Sequence, residues 1–256
     1  MNKYSYVWFL SVLTCLLVAC GNDDDYRYPS VKSEFLTAFS GAGGALQSVL
    51  TDEGKTYRVV EDATKATVSA DSLVRIVGNY AETTSPDGTA GVKLYGWLVA
   101  VSPFPVPAEK FKDGVKTDPA DVQSIWLGLD YLNIVLTVKM QKAIHLFHFI
   151  EDKVSVDTGT GRCDVFLSLY HDAKNDVQAF TKRAYLSVPL RRYATAKGVK
   201  QVTVHFSLHT ASGELKTYNF DYTPNRPSKK LHSDENPIHK SLPVLRLPLL
   251  LPTKGK

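Results

Sequence analysis

Cysteine is scarce in this chain. Three occur in 256 residues, at positions 15, 20 and 163. The first lies inside an apolar leader and the second closes it, so Cys163 is alone in the body and no internal disulfide can form. No CxxC pair and no Cys/His spacing suited to zinc is present. The glycine-rich stretch Gly41-Ala42-Gly43-Gly44 is not followed by Gly-Lys-Ser/Thr, which excludes a phosphate loop. A GxSxG nucleophile elbow is missing. No segment from 28 onward carries a convincing helical period, and the longest apolar run, Tyr6 to Val18, falls short of the roughly 20 residues that a spanning helix needs. Charge of one sign is also lacking in the body. The formal net charge is +4, but the tail carries most of it, through Arg226, Lys229, Lys230, Lys240, Arg246, Lys254 and Lys256 against Asp234 and Glu235. A nearly neutral body does not offer the basic face that nucleic acid requires.

What is present begins with the leader. Lys3, the apolar run and small Ala19 have the layout of a secretory signal over residues 1–19. Leu17-Val18-Ala19-Cys20 resembles the bacterial lipobox. That resemblance implies cleavage after Ala19 and acylation of Cys20, palmitate among the chains. Two or three chains at about 0.8 kcal/mol per buried methylene would hold the protein to a membrane. Gly21, in place of the Asp that retains some lipoproteins at the inner membrane, points to the outer membrane. Asp23-Asp24-Asp25 reads either as an export tag to the cell surface or as a solvated spacer within a tether at 20–29.

The body reads as all-β. In residues 30–104, strands are expected at Val31–Phe39, Leu46–Thr51, Lys55–Val60, Leu73–Tyr80 and Gly91–Val101. Short glycine-bearing turns separate them, which suggests an OB-like five-stranded barrel. Lys93, Tyr95 and Trp97 share a face by period two and form a candidate ligand platform; packing into a core is the alternative. Alternating prolines at 103, 105 and 107 open a stiff linker over 105–118. In residues 119–223, strands are expected at Val122–Leu129, Tyr131–Met140, Ala143–Glu151, Cys163–Tyr170, Arg183–Leu190, Gln201–His209 and Leu215–Tyr222. They predict an antiparallel β-sandwich. The tail, 224–256, is rich in Pro, Lys and Leu and reads as disordered or loosely docked.

Catalytic patterns are weak. On a strand, His145 and His148 point to opposite faces, so they cannot share an ion. His205 and His209 share a face but stand about 13 Å apart. His171 ends a strand, where local turn hydrogen bonds are expected. Asp157-Thr158-Gly159 resembles an aspartic-protease loop, but no second copy exists to share a proton, and a turn explains it better. No catalytic residue, metal ligand or cofactor site is assigned, and the chain is not read as an enzyme.

Several short motifs carry a family resemblance. They are Tyr28-Pro29-Ser30-Val31-Lys32, Leu50-Thr51-Asp52-Glu53-Gly54, Leu73-Val74-Arg75-Ile76 with Tyr80, Tyr131-Leu132-Asn133-Ile134, Leu169-Tyr170-His171-Asp172 and Ser187-Val188-Pro189-Leu190. In this order and spacing the chain resembles the NigD-like lipoproteins. The resemblance implies an N-terminal OB-like domain, a C-terminal β-sandwich and a role as a bacteriocin immunity factor. The expected function is that of a lipid-anchored envelope binding protein with a protein toxin as partner. A surface glycan- or matrix-binding lipoprotein and an envelope hydrolase are the alternatives.

Overall fold

The computed structural model describes residues 30–224. The leader, Cys20, the acidic tether and the tail from 225 lie outside the described residues. Residues 31–224 belong to one compact unit.

Five strands close a barrel: β1 (Lys32–Ser40), β2 (Leu46–Thr51), β3 (Thr56–Asp62), β4 (Leu73–Thr84) and β5 (Ala90–Val99). Their order round the barrel is β1-β2-β3-β5-β4, and β4 returns to pair with β1. This is an OB-like arrangement, as the spacing of turns predicts. Leu36, Ile76, Tyr80, Val92 and Leu94 fill the interior. Closure removes the free edges that an open five-stranded sheet would expose.

The remaining strands are β6 (Asp121–Gly128), β7 (Tyr131–Met140), β8 (Leu146–Asp157), β9 (Arg162–Asp172), β10 (Phe180–Pro189), β11 (Gln201–His209) and β12 (Leu215–Tyr222). They form two sheets, β10-β7-β6 and β12-β11-β9-β8. One turn of helix, α1 (Arg191–Ala194), links β10 to β11. The pairing departs from a wholly antiparallel sandwich at one place, where β11 runs parallel to β9. The chain leaves the second sheet after β9 and crosses to the first for β10. It then returns through α1, which lets β11 enter beside β9 in the same direction.

Sheet β10-β7-β6 is a middle layer. On β7, Leu132, Ile134, Leu136 and Val138 face the sandwich core. Asn133 and Val135, on the opposite face, are buried as well. Along β10, Ala184 to Val188 is buried without a break. Runs of this kind mark strands covered on both faces, and the second cover is the barrel. Phe35, Val77, Ala100, Val135 and Tyr185 form a separate apolar cluster between barrel and middle sheet. Phe35 meets Trp126 edge-on, with ring centroids 5.5 Å apart.

The proline-rich connection is stitched down along its length. Val101 donates to Tyr185 and accepts from Ser187, both at 2.9 Å. Val106 donates to Phe149 at 3.1 Å and accepts from Glu151 at 2.9 Å, and further on Asp118 donates to the His171 carbonyl and His171 to the Lys116 carbonyl, both at 3.0 Å. The segment therefore runs as a strap across β10, β8 and β9, extended through its prolines as their fixed backbone favours and broken by one 3-10 turn at Ala108–Lys110.

Candidate functional site

Two buried polar constellations stand out among the described residues. The first is a clamp between the modules. Arg75, on β4, points away from the barrel interior and has a side chain only 2% exposed. Its Nη2 donates to both oxygens of Asp52, at 2.6 and 2.7 Å, and to Asn133 Oδ1 at 3.0 Å. Its Nε donates to Ser187 Oγ at 3.0 Å, and its Nη1 to Thr37 Oγ1 at 3.0 Å. Asn133 Nδ2 donates in turn to Asp52 at 2.6 Å, and Ser187 Oγ to Asn133 Oδ1 at 2.8 Å. The guanidinium lies 4.2 Å over the Tyr131 ring. Every polar atom is satisfied, which is what makes a buried charge tolerable. Gly128 completes the clamp. A Cβ there would stand 2.1 Å from Asp52 Oδ2 and 2.5 Å from Asn133 Nδ2.

The second constellation sits at one end of the sandwich. His171 is 1% and His145 7% exposed. His171 Nδ1 lies 2.9 Å from the carbonyl of Asp118, and His171 Nε2 lies 2.9 Å from His145 Nδ1. A carbonyl can only accept, so the His171 proton sits on Nδ1 and its Nε2 accepts from His145 Nδ1–H. The outer nitrogen of His145 then faces Asp176 Oδ2 at 3.6 Å, without a hydrogen bond. Phe147 stacks on His171 at 4.5 Å. Burial lowers the His171 pKa, against a smaller opposing pull from the Asp118 carbonyl. Burial alone would raise the Asp176 pKa, but the amides of Gln141, Lys142, Ala143 and Val177 hold it down at about 2. A carboxylate fed by several amides behaves this way.

Beside this pair opens a cleft of about 310 Å³, lined by Asp118, Asp121, Thr137, Lys139, His171 and Asp176 among others. Asp118 and Asp121 each use one oxygen on a loop amide, of Ala173 at 2.6 Å and Ala211 at 3.0 Å. Its charged lining is three carboxylates, Asp118, Asp121 and Asp176, against Lys139. Among the described residues, no group of three or more His, Cys, Asp or Glu side chains could hold a metal ion.

The histidine expectations need correction. His145 precedes β8 rather than lying within it, so alternation along a strand does not govern where it points. His171 does not serve a surface turn; the strap carrying Asp118 covers it. The two rings meet across 26 residues of sequence, a distance that no local pattern reveals.

The platform on β5 is also altered. Tyr95 is skipped in the pairing with β4, because Asn79 faces Gly96 while Tyr80 faces Leu94. This bulge reverses the phase of the strand. Lys93 and Tyr95 stay outside, with Lys93 Nζ 2.8 Å from Glu61. Trp97 instead packs partly against the barrel core and donates from Nε1 to Asp62 Oδ2 at 2.9 Å. The three residues do not share one face.

Asp157 folds back on its own turn, accepting from the Gly159 amide at 2.9 Å and from the Thr160 hydroxyl at 2.8 Å. His205 stacks on Phe166 at 4.4 Å and bonds Asn219 at 2.8 Å, while His209 is exposed. Cys163 is free and buried.

An OB-like barrel clamped through a buried arginine onto a two-sheet β-sandwich defines a class of two-module β protein. The family follows from comparison with known proteins. The NigD-like C-terminal beta sandwich domain matches residues 102–222. A NigD-like immunity protein from Bacteroides caccae is 36% identical, with a TM-score of 0.64; the match covers 78% of this chain and all of that one. The chain belongs to the NigD-like family. A protein of unknown function from Bacteroides vulgatus, 18% identical over 79% of this chain and 97% of its own, shares the fold with a TM-score of 0.59. No curated protein matches the chain.

The family motifs now have a physical meaning. Asp52, Arg75, Tyr131, Asn133 and Ser187 come from four separate motifs and meet in the one clamp. His171 comes from a fifth and joins the buried pair.

Proposed function

We propose that the mature chain is a lipid-anchored, non-catalytic binding protein of the outer membrane that confers immunity to a bacteriocin by engaging the toxin at the envelope. The observation that carries this reading is the 36% identity to a NigD-like immunity protein over the whole of that protein's length. The lipobox-like Leu17-Val18-Ala19-Cys20 supports the anchor. The clamp supports a binding role, because two modules fixed to one another present a preorganised surface and lose little entropy on docking.

The test is a deletion strain challenged with bacteriocins prepared from related strains. Deletion is expected to lower survival, and the intact gene to restore it. Unchanged sensitivity would sink the immunity reading. Complementation with Cys20→Ser tests the anchor separately: the protein should leave the membrane fraction, since the serine hydroxyl is a poor substitute for the thiol in lipid transfer. Retention of that variant in the membrane fraction would refute lipid anchoring at this residue.

A further inference from the structure

Sheet β12-β11-β9-β8 ends on two edge strands, of which β8 is the longer. An edge strand turns every second N–H and C=O away from its sheet, a template for another strand. The strap occupies the first half of this edge, where Val106 bonds Phe149 and Glu151. By Phe111, which stacks on Tyr170 of β9 at 4.4 Å, it has left the edge for the face of the sheet. Asp152 is bulged, since Glu151 pairs with Leu167 and Lys153 with Phe166. From Lys153 to Asp157 the ladder is regular again, and among the described residues the backbone there bonds only β9 and the hairpin turn.

The side chains of this segment are arranged about a centre. Val154 and Val156 stand opposite the core residues Val165 and Cys163, yet are 41% and 40% exposed, because no strand lies beside them. Lys153, Ser155 and Asp157 occupy the other face and are exposed. With Ser155 at the centre of an antiparallel pair, Lys153 falls opposite Asp157 and Val154 opposite Val156, and each facing pair lies on one side of the sheet. Centring on Val154 or Val156 instead sets Lys153 against Ser155 or Gly159. A lysine on an edge ordinarily deters pairing; in this register it meets an aspartate, a favourable cross-strand pair. The other edge, β12, has no such match, since Lys216 and Asp221 lie on opposite faces by alternation.

We propose that residues 153–157 of two copies of the chain pair antiparallel about a two-fold axis through Ser155, so that the two sheets continue as one. The facing valines are then covered on the core side, and Lys153 of each copy meets Asp157 of the other on the outer side. A two-fold contact needs this kind of self-complementarity. The valines and the backbone bonds hold the pair, while the exposed, screened ion pairs fix its register. So short a contact predicts a weak, concentration-dependent dimer. The pairing does not depend on the immunity reading.

The experiment uses the full mature chain with Cys20→Ser, which leaves no thiol for lipid transfer. On the axis, Ser155 would stand about 4.5–5.5 Å from its mate between Cα atoms, within disulfide range. Ser155→Cys should cross-link into dimers in oxidised glutathione with a yield about fivefold or more above that of Thr217→Cys, an exposed position on β12. Adding Lys153→Asp sets like charges opposite one another twice and should cut the Ser155→Cys yield by about threefold or more, with far-UV dichroism unchanged. In the chain without these cysteines, amide hydrogen exchange at 153–157 should slow as protein concentration rises, and exchange along β12 should not. Equal cross-linking at the two positions, or a Ser155→Cys yield indifferent to Lys153→Asp, would overturn the proposal. So would exchange at 153–157 that does not change with concentration up to about 1 mM. Slow exchange throughout would mark an edge covered by another segment of the chain, and fast exchange throughout an edge that stays single.

Discussion

Replacing Arg75 with methionine should destabilise the whole described body, and the size can be worked from the clamp. Methionine keeps most of the aliphatic stem and its contact with Tyr131, so the loss is mainly polar. Asp52, with a side chain only 12% exposed, would lose two short charge-assisted bonds, and Asn133, Ser187 and Thr37 one bond each. Solvent screening is slight at this depth. Removing one member of a buried pair leaves an uncompensated charge and costs about 3–5 kcal/mol. With a urea m-value of about 2 kcal/mol/M for a chain of this size, the midpoint should fall by about 1.5–2.5 M. Asp52→Asn alone should also destabilise. The double variant, Arg75→Met with Asp52→Asn, should lose less than the two single losses combined, because the stranded carboxylate is gone; a coupling of about 1.5 kcal/mol or more is expected. Equilibrium urea unfolding of the four proteins, read by tryptophan fluorescence and far-UV dichroism, supplies the cycle. A fall of less than about 0.5 M for Arg75→Met, or strict additivity in the double variant, would refute the idea that this network holds the modules together.

Other outcomes follow from the same geometry. Gly128→Ala should cost about 1–3 kcal/mol in the same assay, since its Cβ would displace Asp52 or Asn133, whereas Gly213→Ala, on an open turn, should not disturb the clamp. Acid should loosen the sandwich end in two stages. His171 has a lowered folded pKa, so the stability it contributes is fully present above its unfolded value of about 6.5 and is lost as pH falls below that. Asp176 follows, its contribution present above the ordinary carboxylate value of 3.8 and lost as pH falls toward about 2. A pH-dependent melting series should therefore begin to fall near 6.5, and His171→Phe should flatten that first step; a flat wild-type profile down to pH 5 would contradict the geometry. Trp97→Phe should cost about 1 kcal/mol through loss of the bond to Asp62. An unchanged urea midpoint in Trp97→Phe would show that this bond contributes nothing to the barrel.

The β elements and the barrel-plus-sandwich fold were legible because alternation and turn chemistry act locally. Leu46–Thr51, Tyr131–Met140, Gln201–His209 and Leu215–Tyr222 occur at the predicted boundaries. The turns at Glu53-Gly54 and Ser212-Gly213 place glycines with positive φ where a hairpin needs them. The platform on β5 was misplaced because one bulged residue, Tyr95, shifts the phase of everything after it. Nothing in the residue string distinguishes a regular strand from one with an unpaired residue.

Sequence alone determined the strands, the two modules, the isolation of Cys163 and the family to which the chain belongs. Tertiary structure decided what the polar residues of those strands are for. Arg75 and Asn133 each stand on the strand face opposite a row of apolar residues, the side that alternation alone would leave to water. They are buried because a second layer covers that side, and a strand's own period cannot show whether its outer face meets water or another module. The pairing of His145 with His171 follows from the β8–β9 ladder, and the strap from Val101 to Ala120 then covers it and brings Asp118 to the cleft beside it. Those contacts join residues distant in sequence, and their energy resides in burial and geometry that exist only once the layers have packed.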